Sequence, residues 1–144
     1  MPTWVEAGFQ EYQKRIRGRF KLHLLEVSAL KRGKHADTAR IAEEEEKKLS
    51  AGIPKGAYVI ALDRKGKQLS TLKLSAKMED WLQLGRPIVI IIGGPEGLTT
   101  NFLNSADEAW SLSDMTFAHP VVRVMVAEQL YRGYSILEGL PYHR

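Results

Sequence analysis

The chain has 144 residues, 44% of them hydrophobic and 26% charged, which is the size and balance of one globular domain with a small core, so 1–144 reads as a single domain. Cysteine is absent and the four histidines show no ligand spacing, which excludes disulfides, thiolate metal sites and cysteine nucleophiles and leaves no metal to expect. A formal charge of +4 and a pI near 9.4 are mildly basic, and no run reaches the roughly 18 apolar residues of a membrane span or the layout of a signal peptide, so a soluble, cytoplasmic protein with no membrane is expected.

The positive residues are clustered, in KRIRGRFK at 14–21 and KRGK at 31–34. Adjacent cations neutralise phosphates and release counterions together, so two such segments point to a nucleic acid more than to a merely solvated face.

Apolar side chains at Trp4, Val5, Phe9, Tyr12 and Ile16 recur at helical spacing, which predicts an amphipathic helix over 4–16. FKLHLLEV, 20–27, alternates and then turns apolar, as a strand does. After the second basic segment, Asp37 can cap a helix to about Ala51, with Glu43–Lys47 and Glu44–Lys48 as pairs four apart, Gly52 as the stop and EEEE as its wet face. AYVIALD, 57–63, predicts a strand followed by the loop DRKGKQ, and Ser70 or Ser75 then begins a helix ending near Leu84. PIVIII is a second buried strand. A short helix over TTNFLNSADEA, a strand WSLS, a loop DMTFAH and a long helix from Pro120 to about Leu137 complete the chain. Alternating strands and helices, with strands too apolar for one-sided burial, give an α/β fold with a mostly parallel sheet flanked by helices.

Strand 87–92 runs into GGPEGL, at the carboxyl end where such folds place ligands. A phosphate cradle is disfavoured there. The segment has no Gly-Lys-Ser/Thr and no GxGxxG, Pro95 removes a backbone donor, and Glu96 sets a negative charge where a pyrophosphate would lie. Three glycines still let a ligand approach the backbone closely, and the amides and carbonyls can read an adenine edge. An adenosine-like ligand not anchored by phosphate is expected, and S-adenosyl-L-methionine is the common cofactor that fits.

MPTWV, KRGKHAD, IIGGPEGL, WSLSDMTFAHPVVRVMVAEQLYR and the terminal PYHR together resemble the SPOUT methyltransferases, specifically the ribosomal RNA large subunit methyltransferase H family, over essentially the full length. The resemblance implies an S-adenosyl-L-methionine-dependent enzyme that methylates N3 of pseudouridine 1915 in helix 69 of 23S rRNA, on the assembled ribosome. A C-terminal trefoil knot, an exception to unknotted chain connections, and a homodimer are also implied. Carried over to this sequence, the cofactor residues are Leu62, Gly93, Gly94 and the loop Leu112, Ser113, Asp114, Met115, Thr116 and Phe117. Members of the family carry one further short strand ahead of MPTWV, and a start codon placed late is the expected reason for its lack here.

A methyl on a sulfonium is already activated, but N3–H of pseudouridine must lose its proton as transfer proceeds. His119 and His143 suit proton acceptance, while Arg132, Arg144 and Arg123 suit stabilisation of the charge growing on the base carbonyls or contact with the RNA. Tyr142 is expected to stack on the target base, and Arg132, His143 and Tyr142 rank ahead of Glu128, four residues before Arg132. Lys31, Arg32 and Lys34 are expected to meet rRNA phosphates. Two other readings remain: a non-catalytic RNA-binding or ribosome-associated module of the same fold, and a generic α/β protein that binds ATP or NAD.

Overall fold

The computed structural model describes residues 1–27 and 37–144. Its elements follow in chain order as α1 (Thr3–Gln13), α2 (Thr38–Gly52), β1 (Tyr58–Gln68), α3 (Thr71–Leu84), β2 (Ile88–Ile92), α4 (Thr100–Ser105), β3 (Glu108–Ser111) and α5 (His119–Glu138). They fall into two compact units. A helical unit comprises Met1–Leu24, Leu69–Gly85 and Phe117–Arg144, and a sheet unit comprises Leu25–Gln68 and Arg86–Thr116.

Among the described residues the sheet unit carries three strands in the order β2-β1-β3, and both ladders are parallel as expected. Ile60 and Ala61 are adjacent on β1 and both are completely buried, so the centre of the strand is covered on both faces. On one face Ala61, Ile91 and Phe102 form a core, joined by Leu49 and Ile53 from the α2 end and by Leu98 and Leu103 around α4. In the helical unit α1 buries Val5 and Phe9, and the Ser75 hydroxyl of α3 donates to the Gly133 carbonyl of α5. Ser70 caps α3 by accepting from Lys73 N–H, and Gly85 and Gly139 end α3 and α5 in the left-handed conformation.

Several expectations are corrected. FKLHLLEV forms no strand: alternation produces a strand only where an edge is available, and here the Leu22 carbonyl is taken by the Gln13 side chain at 2.8 Å. DRKGKQ is not a loop but the second half of β1. Pairing to β3 passes from Leu62↔Trp110 directly to Lys67↔Trp110, so Asp63 to Gly66 bulge out of the ladder, started by an Asp63 carboxylate that accepts Lys65 N–H. The third strand lies two residues earlier than WSLS, because Asp107 and Glu108 already face the start of β1: Asp107 accepts Val59 N–H, and Tyr58 donates to Glu108 at 2.6 Å.

Helix α2 is capped by Asp37 as expected, but Gly52 is its last residue and not a left-handed stop. Arg40 and Glu44 form an ion pair on it, at 3.0 Å. EEEE is not uniformly wet, since Glu46 is buried and hydrogen-bonded to Thr99. Helix α5 starts at His119, one residue before Pro120, with Ala118 as the cap.

Candidate active site

Parallel pairing sets Leu62 level with both Ile92 and Trp110, so the chain leaves all three strands at the same end of the sheet. Gly93 and Gly94 follow Ile92, and Leu112 follows Ser111, which gathers the expected cofactor residues of the sheet unit around one rim. Gly94-Pro95-Glu96-Gly97 is a β-turn closed by Gly97 N–H to the Gly94 carbonyl at 2.9 Å, with Pro95 presetting the corner and Gly97 at φ 71°. A Cβ on Gly93 would lie 3.0 Å from Leu98 Cγ and 3.2 Å from the Gly97 carbonyl carbon. The loop's own return therefore crowds any side chain at 93, before a ligand does.

The second rim loop is held from within. Ser111 Oγ donates to the Ser113 carbonyl, Met115 N–H donates to Ser113 Oγ, and Gln68 donates to the Asp114 carboxylate at 3.1 Å. Leu112 and Met115 are 38% and 71% exposed, which sets aside an ordinary core role and leaves two apolar walls for a ligand. Neither GGPEGL nor LSDMT contains a lysine or arginine, while Glu96 and Asp114 are acidic. Two such loops oppose a pyrophosphate and favour a neutral adenosine carrying a positive sulfonium. Phe117, the last residue expected at the cofactor, belongs to the helical unit.

In the helical unit the last turns of α5 meet the C-terminal tail. Glu128 Oε1 accepts from Arg132 Nε at 2.8 Å and from the Tyr142 hydroxyl at 3.1 Å, while its Oε2 accepts from Gln129 at 2.9 Å. Gln129 in turn accepts from Thr71 Oγ1 of α3 at 2.9 Å. Arg132 Cζ stands 4.8 Å from the centre of the Tyr142 ring, and the Tyr131 ring meets that ring edge-on at 4.6 Å. Arg132 Nη1 lies 3.3 Å from His143 Nδ1. Glu128, ranked last in the sequence, is thus the acceptor that joins the cluster. Its separation of four from Arg132 was the only signal available.

Two chemical consequences follow. A guanidinium has no lone pair to offer, so His143 Nδ1 accepts and the ring proton sits on Nε2; His143 in this pose presents a donor, not a base. Burial, with hydrogen bonds to Tyr12 and Glu128, pushes the Tyr142 phenol up to about 12, so near neutrality it remains an O–H donor. Hydrogen bonding to Glu128 also raises Arg132 above the usual arginine range and keeps it charged.

The remaining candidates lie elsewhere. His119 opens α5, and the 13 positions from there to Arg132 span about 20 Å of helix, so one chain does not bring them together. Arg123 is half-buried one turn after His119, and Arg144 is exposed at the terminus. Lys31, Arg32 and Lys34 lie outside the described residues. Among the described residues, no group of acidic residues and histidines is able to hold a metal, and no helix is long and apolar enough to cross a membrane.

A protein-family model described as "Predicted SPOUT methyltransferase" matches residues 1–143. The chain belongs to the SPOUT methyltransferases. Among curated proteins it is 51% identical to the Ribosomal RNA large subunit methyltransferase H of Thioalkalivibrio sulfidiphilus (strain HL-EbGR7) and 45% identical to the protein of the same name from Hydrogenovibrio crunogenus (strain DSM 25203 / XCL-2). Both matches cover all of this chain and 92% of the relative. These matches place the chain in the methyltransferase H family, as the sequence resemblance implied, and the span matched by the family model includes the rim loops and the whole tail cluster.

Proposed function

We propose that all 144 residues act as one methyltransferase domain that transfers a methyl group from S-adenosyl-L-methionine to N3 of a pseudouridine in helix 69 of 23S rRNA, on the assembled ribosome in the cytoplasm. The names of two full-length relatives support rRNA as the substrate. The observation that carries the chemistry is a pair of loops, GGPEGL and LSDMT, that contain no lysine or arginine and offer backbone groups at the carboxyl ends of parallel strands. A trefoil knot and a homodimer belong to the same reading.

When bound, the cofactor supplies a methyl group activated by positively charged sulfur. Gly93 and Gly94 offer backbone groups to its adenosine, Leu112 and Met115 exclude water beside it, and the acidic rim complements the sulfonium. As the N3 proton leaves, negative charge grows on the flanking carbonyls, and it is discharged as N3 takes the methyl group and the sulfonium becomes a neutral thioether. Arg132 meets that charge, with His143 Nε2–H as a second donor. Tyr142, its ring already engaged by Arg132 and Tyr131, clamps the tail instead of stacking on the base. His119 is the proton-acceptor candidate that remains, and it would meet the base held by Arg132 only from the second copy of the proposed homodimer.

Calorimetry is expected to show binding of S-adenosylhomocysteine, and ribosomes lacking the modification are expected to accept one methyl group per target site. Ribosome binding without cofactor affinity would make the chain a non-catalytic module, and affinity for ATP or NAD alone would make it a nucleotide-binding protein. Neutralising Arg32 and Lys34 together is expected to weaken ribosome binding and to lower the slope of log affinity against log salt by roughly 0.7–0.9 per lost phosphate contact. An unchanged slope removes that segment from the RNA interface.

A further inference from the structure

Glu46 is buried at 8% exposure inside a run of four glutamates whose other members are at least partly exposed. Both of its oxygens are committed to one residue: Oε2 accepts Thr99 N–H at 3.0 Å and Oε1 accepts the Thr99 hydroxyl at 2.6 Å. Thr99 is the point at which the glycine loop passes into α4. Capping of that helix does not explain Glu46, because Thr99 Oγ1 already accepts Phe102 N–H at 3.2 Å. The further donor is the N–H of the capping residue itself. In a capping box a Glu or Gln at the third helical position takes it, but here that position is Phe102, an apolar core residue, so a carboxylate from α2 takes it instead.

The glycine loop is consequently held at both ends and in the middle. Ile92 is fixed in the ladder to Leu62, Gly97 is turned back onto Gly94, and Leu98 is pressed between Gly93 and the core that contains Phe102. Glu46 fixes the last point, directly after Leu98. A carboxylate is costly to bury, and the cost is offset only while each oxygen keeps its donor. We propose that Glu46 is a positioning residue for the cofactor, fixing the exit of the Gly93–Leu98 loop so that the Gly93 and Gly94 backbone is presented in one geometry.

The inference rests on the reading of the rim as the S-adenosylmethionine site, and the test separates the two. Full-length wild type, Glu46→Ala and Glu46→Gln are titrated with S-adenosylhomocysteine by calorimetry and assayed for methyl transfer, with thermal melts alongside. Glu46→Ala is expected to bind at least about tenfold more weakly and to raise KM for S-adenosylmethionine by a similar factor, with kcat within about twofold, the pattern of lost uniform binding. Glu46→Gln is expected to stay within about threefold of wild type, because its amide oxygen can accept Thr99 N–H while its amide nitrogen donates to the Thr99 hydroxyl. If Glu46→Ala yields no folded protein, Glu46→Asp, which withdraws the carboxylate by one methylene, is expected to show the same KM effect several-fold. A folded Glu46→Ala or Glu46→Asp chain with wild-type affinity overturns the proposal and leaves the methyltransferase reading standing. A wild type that does not bind S-adenosylhomocysteine overturns that reading and the proposal with it.

Discussion

Arg132→Ala is expected to lower the rate of methyl transfer to ribosomes by about a hundredfold or more, while affinity for S-adenosylhomocysteine stays within about twofold of wild type. Removing one preorganised donor aimed at a developing negative charge costs about 10²–10³ in rate, and Arg132 has more attached to it than a single donor. Its Nε is spent on Glu128, its face lies over Tyr142, and its Nη1 sets the tautomer of His143. Truncation removes the charge, releases one edge of the tail, and frees His143 to adopt either tautomer. Lysine should restore little of this, since a point charge cannot hold a carboxylate, an aromatic face and an imidazole at three angles. Single-turnover transfer and calorimetry on the same preparation check the result. A parallel fall in cofactor affinity would mean that Arg132 serves the cofactor and not the reacting base.

The parts of this site that were legible in the sequence are those fixed locally. Asp37, Ser70 and the glycine at 85 mark helix ends because a cap needs only its neighbours, and GGPEGL announces a turn because Pro95 and Gly97 preset its corners. What stayed hidden depends on partners distant in the chain. EEEE reads as one solvated face by helical spacing, and nothing near it shows that Thr99 takes Glu46 out of water. Likewise FKLHLLEV has a strand's alternation without a strand's edge, whereas DRKGKQ, polar and containing glycine, is drawn into β1 by a ladder whose other half lies more than forty residues on. Glu128 was underrated for the same reason: a pair four apart on a helix is ordinarily a surface pair, and it is the tail folding back that makes it a junction.

Gly66→Ala is expected to be among the most damaging single substitutions in the sheet unit, and through the same contact to weaken cofactor binding. A Cβ at that position would stand 2.6 Å from the Trp110 carbonyl carbon and 2.7 Å from both the Ala109 carbonyl carbon and Trp110 N. All three are backbone atoms of β3, so no rotamer change can relieve the clash; ordinary contact distances of about 3.5–4.0 Å require the strands to part by roughly 1 Å. The pairs Lys67↔Trp110 and Gln68↔Ser111, which re-form the ladder after the bulge, depend on that approach. Overpacking of this kind costs about 1–3 kcal/mol before lost ladder bonds are counted. At roughly 2–4 °C per kcal/mol for a domain of this size, Tm should fall by about 5–10 °C. The damage also reaches the proposed site: Gln68 holds Asp114, and Ser111 holds Ser113, so parting β1 from β3 loosens the loop 112–116 that is proposed to wall the cofactor. Melting temperature and S-adenosylhomocysteine affinity should thus fall together, the opposite of the Arg132→Ala pattern. A Gly66→Ala chain that melts like wild type would show that the bulge moves aside at no cost, and that β1 beyond Leu62 does not brace the rim.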